Sequence, residues 1–425
     1  MITERLLQFI WQFQYSNRQD LLTVGGESLQ VIFAGEWNSH QGPDFKQARI
    51  KLGDTLWAGE VELHLKASDW HRHHHTNDNH YSKVILHAVW EDDEPIADQN
   101  GHLLPTVVLQ HRVSNLMLRR YQNWMSQLQP IPCLADITSV PALAWQSWKE
   151  RLMVERLEQK AGHIQRLLQQ TQNNWEEVFW RILCRYFGAG VNSECFEQLA
   201  ASLPVQVLAK HKNQLQQVEC LLLGQAGLLN KKFRSHYPLL LQKEYRYLRR
   251  KYQLQPITKL PVFLRMRPVN FPTVRLAQLA MLVHQSVHLF SKLKEAGDLP
   301  TATLLFSVTA NDFWNDHFKL EEASEHQPKK LGVQMINTLL INAVAPTLFA
   351  YGKYAGESKY CDKAIEWLEV LPKEENAFTR LYTSAGIENN SALDSQALLH
   401  LKKNYCDEKR CLECAVGNAL LKKGS

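Results

Sequence analysis

Asp44, Glu62, His64 and Lys66 are the residues of this chain whose types and spacing could do chemistry together. Asp44 follows a proline. Eighteen residues beyond it, Glu62 stands in the run Glu60-Val61-Glu62-Leu63-His64-Leu65-Lys66. That run alternates strictly between ionisable and apolar side chains. Successive strand side chains point to opposite faces, so a strand here lines one face with two acids, an imidazole and an amine. Such a row can bind a divalent metal and move protons. Asp44 and Glu62 together would suit Mg2+ or Mn2+, with His64 or Lys66 orienting water or phosphate. A solvated sheet face with cross-strand ion pairs is the alternative reading.

The surrounding elements must bring these residues together. Residues 3–14 have the pattern of an amphipathic helix, and Glu4 in it argues against a signal peptide. Strand patterns follow at 29–35, 44–52, 55–66, 84–90 and 104–111, with Gly53-Asp54 as a hairpin signal. A helix is predicted over 113–127. This order specifies an α+β domain over residues 1–130. Three prolines mark the stretch 129–143, and 131–143 reads as a linker. From 144 to 425 helical periodicity dominates. Residues 145–170 form a long amphipathic helix, and 273–296 and 333–352 are largely apolar core helices, with Pro346 kinking or ending the second.

The proline-aspartate pair, followed on the next strand by an acid and then a basic group two residues on, resembles the PD-(D/E)xK nucleases. The resemblance implies a mixed sheet with flanking helices and metal-dependent phosphodiester hydrolysis. The chain departs from that pattern twice. His64 stands where a lysine is usual, with Lys66 two residues later. The seventeen or so residues after the third strand are His-rich and lack a helical period. Ser68-Asp69-Trp70-His71-Arg72-His73-His74-His75 looks like a stretch of the very-short-patch mismatch endonucleases. That likeness implies roles for His71 and His73 on a leaving group or beside the metal. Glu62, His64, His71, His73 and His87 would equally suit zinc, iron or manganese on a cupin-like sheet. His87, in an otherwise apolar strand, also reads as a core histidine.

The net charge of +5 is unevenly placed. Residues 231–275 hold twelve Lys or Arg and one acid, so this segment is +11 and the remainder −6. A helix from Pro238 to about Tyr252 would bury Leu241, Tyr245, Leu248 and Tyr252. It would present Lys243, Arg246, Arg249, Arg250 and Lys251 as a basic face, continued by Arg265 and Arg267. Nucleic acid is the partner such a face would suit.

Eight scattered cysteines are too few for a disulfide framework, which points to a reducing cytoplasm. Cys406, Cys411 and Cys414 have a C-x4-C-x2-C spacing that reads as metal ligands, for Zn2+ or an iron–sulfur cluster. Cys361 or His400 would be the fourth ligand. No apolar run reaches the roughly 18 residues of a membrane span.

Six stretches, among them GPDF, GEVELHLKASDW, RPVNFPTVRLAQLA and KKNYCDEKRCLECAVG, resemble those of a bacterial family catalogued as a domain of unknown function. That likeness implies no activity. From its residues the chain is expected to be a metal-dependent nuclease or nucleic-acid-processing protein. A non-catalytic nucleic-acid-binding or scaffold protein and a small-molecule metalloenzyme are the alternatives. Convergence of the Asp44 and Glu62 carboxylates would favour an enzyme.

Overall fold

Helix α1, Glu4–Phe13, opens the first unit of the computed structural model, which describes residues 2–286 and 288–423. Thr3 caps it by accepting from Leu6 N–H at 3.2 Å, and Gln14 closes it in the left-handed conformation. Ten residues are too few for a stable isolated helix. Its apolar face supplies the stability: Leu6, Leu7 and Ile10 are fully buried, each contributing on the order of 2 kcal/mol.

Strands β1 (Leu29–Phe33), β2 (Glu36–Trp37), β3 (Phe45–Leu52), β4 (Thr55–Lys66), β5 (Val84–Glu91) and β6 (Thr106–Val108) form one mixed sheet. Its order is β1-β3-β4-β5-β6, with β2 on β3. β1, β3 and β4 pair antiparallel, and β5 and β6 add in parallel. The β3–β4 hairpin turns at the expected Gly53-Asp54, where Gly53 takes a left-handed φ of 53°. A parallel neighbour needs a crossover. Residues 67–83 supply it, with a one-turn helix α2 (Asp69–Arg72) and two short 3-10 turns. The His-rich sequence shows no helical period here; Asp69 starts the helix by accepting from Lys66 N–H at 3.1 Å and pairing with Arg72 at 3.0 Å. Helix α3, Asn115–Ser126, follows.

Packing divides the chain into two units. The first comprises Met1–Trp148, Leu381–Ile387 and Leu399–Ser425; the second comprises Lys149–Arg380 and Glu388–Leu398. The first is α+β and the second mainly helical. The C-terminal cysteines therefore belong with the sheet, where the sequence reading had placed them in the helical domain. The expected helix 145–170 spans Ala142–Gln170. The expected helix 273–296 is two, Pro272–Gln285 and Leu289–Glu295, and Val287 between them lies outside the described residues.

The stretch Val333–Ala355 is helical throughout, with a π turn at Leu340–Val344. Pro346 has no N–H to give the carbonyl four residues back, and the wider turn just before it lets the helix continue. By length and composition this stretch could cross a membrane, contrary to the sequence reading. In the fold 72% of its most apolar window is buried inside the protein, as in a core helix.

Candidate metal centre

Strand β4 carries the centre. Val61 to Leu63 and His64 are all buried, so both faces of the strand are covered. The apolar residues pack on one face. Glu62 and His64 on the other meet the crossover, where Trp70 is wedged edge-on against His64, His75 and His87. Its indole N–H donates to Thr76 at 3.1 Å. His74 adopts a left-handed φ of 62°, reversing the chain between His73 and His75. Both imidazoles return to His64. His75 also stacks on Tyr81, ring centroids 3.7 Å apart.

One nitrogen each of His64, His73 and His75 lie within 4.8 Å of one another. His64 Nε2 is 3.1 Å from His73 Nδ1. Glu62 Oε1 is 3.5 Å from His64 Nε2 and 3.4 Å from His75 Nε2. Four ligands at zinc-like bond lengths of about 2.05 Å in a tetrahedron stand about 3.3 Å apart. The three edges at 3.1, 3.4 and 3.5 Å have that scale. His75 Nε2 is buried and has no hydrogen-bond partner; an orphaned buried nitrogen of this kind is what a metal ion satisfies.

Outer contacts hold the donors. His64 Nδ1 lies 2.8 Å from His87 Nε2. If His64 turns the Nε2 lone pair to a metal, its Nδ1–H donates to His87, an arrangement that orients a ligand imidazole. Glu62 Oε2 accepts from Asp44 N–H at 3.0 Å. The Asp44 carboxylate accepts from Gln8 Nε2 at 2.8 Å and Leu63 N–H at 3.1 Å.

The electrostatics are those of a site built for a cation. Burial pushes the carboxyls of Asp44 and Glu62 well above the usual range. For Asp44 the Glu62 and Glu4 charges add to it; for Glu62 the amide N–H of Asp44 works the other way. Burial, then neighbouring imidazoles, pulls His64 down to about 2 and His87 to about 3, and burial also lowers His75. His64 and His75 are thus neutral and free to ligate, and a bound cation would reverse the penalty on the acids.

Of the candidate residues, Asp44, Glu62, His64 and His73 are gathered here. Lys66 and His71 are not. Lys66 ends β4 beyond the covered stretch, is exposed and sits 4.0 Å from Glu91. His71 lies on the solvent side of α2, with Nδ1 3.3 Å from Thr76 and Nε2 3.9 Å from Glu94. His87 lies behind His64, and its Nδ1 is buried without a partner. His75, Glu4 and Gln8 were missed. Glu4, half-buried in the first turn of α1, feels His73, Asp69, Arg72 and His75, and burial raises its carboxyl.

In the second unit the helix His236–Lys251 buries Leu241, Tyr245 and Leu248 as expected, while Tyr252 is half-buried. Lys243, Arg246, Arg249, Arg250, Lys251, Arg265 and Arg267 are all exposed. Arg275, counted in the basic segment, is buried on Gln278 and Asn270.

Fold and site define an α+β protein whose mixed sheet carries a histidine–carboxylate cluster, buried at Glu62, His64 and His75 and open at His73, and whose other unit is mainly helical. The chain belongs to the family described as "Protein of unknown function (DUF2851)", whose family model matches residues 4–377. No curated protein and no solved structure matches it.

Proposed function

We propose that this protein is a metal-dependent hydrolase of phosphodiester bonds, a nuclease built on a PD-(D/E)xK-like sheet with imidazoles in place of the lysine. The observation that carries the reading is the convergence of His64, His73 and His75, with Glu62 Oε1 within 3.5 Å of the His64 and His75 nitrogens. Those four residues would hold one ion. Three nitrogens and one oxygen favour Mn2+, Fe2+ or Zn2+ over Mg2+. Such an ion supplies a Lewis acid and an activated water when bound.

The chain's own residues do the rest. Glu62 is fixed by the Asp44 amide, and Asp44 by Gln8 and Leu63, so α1 and β3 set the ligand geometry. Glu4, within electrostatic reach of His73 and His75, would take the proton of an attacking water. The phosphorus–oxygen bond to the leaving group then breaks, and that oxygen takes its proton from solvent. The meander of three antiparallel strands, the Pro43-Asp44 strand head and the exposed basic helix support phosphodiester as the bond and nucleic acid as the substrate.

The test is cleavage of single- and double-stranded DNA and RNA with Mn2+, Zn2+ or Mg2+. Wild-type protein should cut at least one with a transition metal. Glu62→Gln, which keeps the volume and removes the charge, should not. Wild-type protein inert on all of them would count against the reading.

A further inference from the structure

Within the second unit, the start of the helix Leu215–Gln225, the helix His236–Lys251 and the turn Asp312–Asp316 line a cavity of about 670 Å³. That volume suits a small molecule or one unit of a polymer. Two carboxylates line it, Glu244 and Asp312, with carboxamides at Gln214, Gln216, Gln217 and Asn311. Among the described residues no Lys or Arg lines it, although residues 231–275 hold twelve of them. Glu244 is the single acid of that basic segment, and it is the one charged residue the segment gives to the cavity. Glu244 Oε1 accepts from Gln217 Nε2 at 2.7 Å and Asp312 Oδ1 from Asn315 Nδ2 at 3.4 Å. Among the described residues neither acid forms an ion pair.

The lining is held from behind. Glu219, fully buried, accepts from the Tyr237 hydroxyl, from Asn311 Nδ2 at 2.7 Å and from Trp314 Nε1 at 3.2 Å. Asn311 in turn accepts from Phe313 N–H at 3.0 Å. Phe313 stacks on both Tyr237 and His317, with ring centroids 4.3 and 4.2 Å apart. Gln217 is fixed by Glu244 and by His211, whose Nδ1 stands 2.5 Å from Gln217 Oε1. The polar groups are thus set before a ligand arrives, which lowers the ordering cost of binding.

Outside the cavity the character reverses. Leu240, Glu244, Tyr247 and Lys251 fall at i, i+4, i+7 and i+11, on one stripe of their helix. The stripe leaves the cavity at Glu244, passes Tyr247, which is 60% exposed, and ends on a cation. Lys243, also exposed, lies beside it. Two carboxylates alone would suit an organic cation. Such a cation would first meet the +11 of the surrounding segment, so the ligand that satisfies both is neutral inside and anionic outside. A nucleotide has that division. The amino group of its base donates to carboxylate and carboxamide oxygens, and its phosphate pairs with lysine.

We propose that this cavity takes one unstacked base of a single-stranded nucleic acid, selected for an exocyclic amino group: adenine, cytosine or guanine over thymine or uracil. With the nucleic-acid partner proposed above taken as given, the cavity is where a base is read. Glu244 and Asp312 accept from the amino group, a neighbouring base stacks on Tyr247, and Lys243 and Lys251 take the flanking phosphates.

The experiment is fluorescence anisotropy on the full chain as purified, without added metal, with the integrity of each oligomer checked by electrophoresis. The probes are labelled single-stranded DNA hexamers of thymine, and the same hexamers carrying one adenine, cytosine or guanine. At least one substituted hexamer should bind about fivefold or more tighter than all-thymine. Glu244→Gln with Asp312→Asn should abolish that preference and leave the all-thymine affinity in place. Tyr247→Ala should weaken every hexamer alike, by about fivefold or more. Wild-type protein that binds all hexamers equally, or none, overturns the proposal whether or not any variant folds. So does a preference that survives the double variant. A mononucleotide that displaces the hexamer at equal concentration would assign the cavity to a free nucleotide and overturn the strand. Hexamers bound with the preference but never cut when metal is added uphold the cavity and refute the hydrolase; cutting without the preference does the reverse.

Discussion

Replacing Arg246 and Arg250 together by Gln separates a nucleic-acid face from an ordinary solvated helix. Both guanidinium groups are exposed on the helix His236–Lys251, four residues or about 6 Å apart along its axis. Among the described residues Arg246 bonds only to Gln242, at 3.1 Å, and neither arginine forms an ion pair. Each phosphate contact contributes about 0.9 to the slope of log affinity against log salt on duplex DNA. Two lost contacts should flatten the slope by about 1.8, or about 1.4 on a single strand. Between 50 and 200 mM salt that removes about a tenfold loss of affinity, or about 1.5 kcal/mol of salt-sensitive binding. Stability should stay within about 0.5 kcal/mol, because neither side chain is buried or paired. Fluorescence anisotropy across that salt range reads the slope, and denaturant unfolding reads the stability. An unchanged slope in a normally folded double variant would refute the phosphate-contact reasoning. The nucleic-acid partner would then rest on the sheet site alone.

Three further outcomes follow from named contacts. His87→Ala removes the acceptor behind His64 and should weaken transition-metal binding by about 10- to 100-fold; competition with a chromogenic chelator would show it, and an unchanged affinity would make His87 a simple core residue. Lys66→Ala and His71→Ala, whose side chains face Glu91 and Glu94, should leave metal affinity and cleavage within about twofold, since both lie outside the cluster. Glu219 is fully buried beneath Tyr237, Asn311 and Trp314, and burial lifts its carboxyl to about 7. The folded state keeps a proton that the unfolded chain has released, so this contribution is full below about pH 4.5 and lost as pH rises through 7. The loss amounts to at most about 3 kcal/mol. Glu219→Gln should flatten that slope, read by hydrogen exchange in the helix Leu215–Gln225 at several pH values, and an equal slope in the variant would contradict it.

How much of this was legible varies from residue to residue. β4 matches its reading at both ends, because strict alternation over seven residues admits only a strand and Gly53-Asp54 fixes where it begins. Alternation also puts Glu62 and His64 together. It could not say how far along the strand the crossover covers them, so Lys66 was included although it lies outside. His71, His73 and His75 are indistinguishable in sequence. A left-handed residue at His74 and the wedge of Trp70 decide which rings turn inward, and both depend on packing against β5. Glu4 and Gln8 sit on a helix 36 to 71 residues from their partners, where no local pattern links them. The basic helix was legible because its buried stripe and charged face have a clean helical period.

The central claim is that Glu62, His64, His73 and His75 bind one transition-metal ion. Mn2+ is the most direct probe, because it favours oxygen and nitrogen donors. Chelator-treated protein should take up about one Mn2+ per chain, and pulsed electron paramagnetic resonance should show couplings to imidazole nitrogen that His75→Ala and His64→Ala diminish. Mn2+ that does not bind, or that binds with no imidazole coupling or with the same coupling in both variants, would contradict the account.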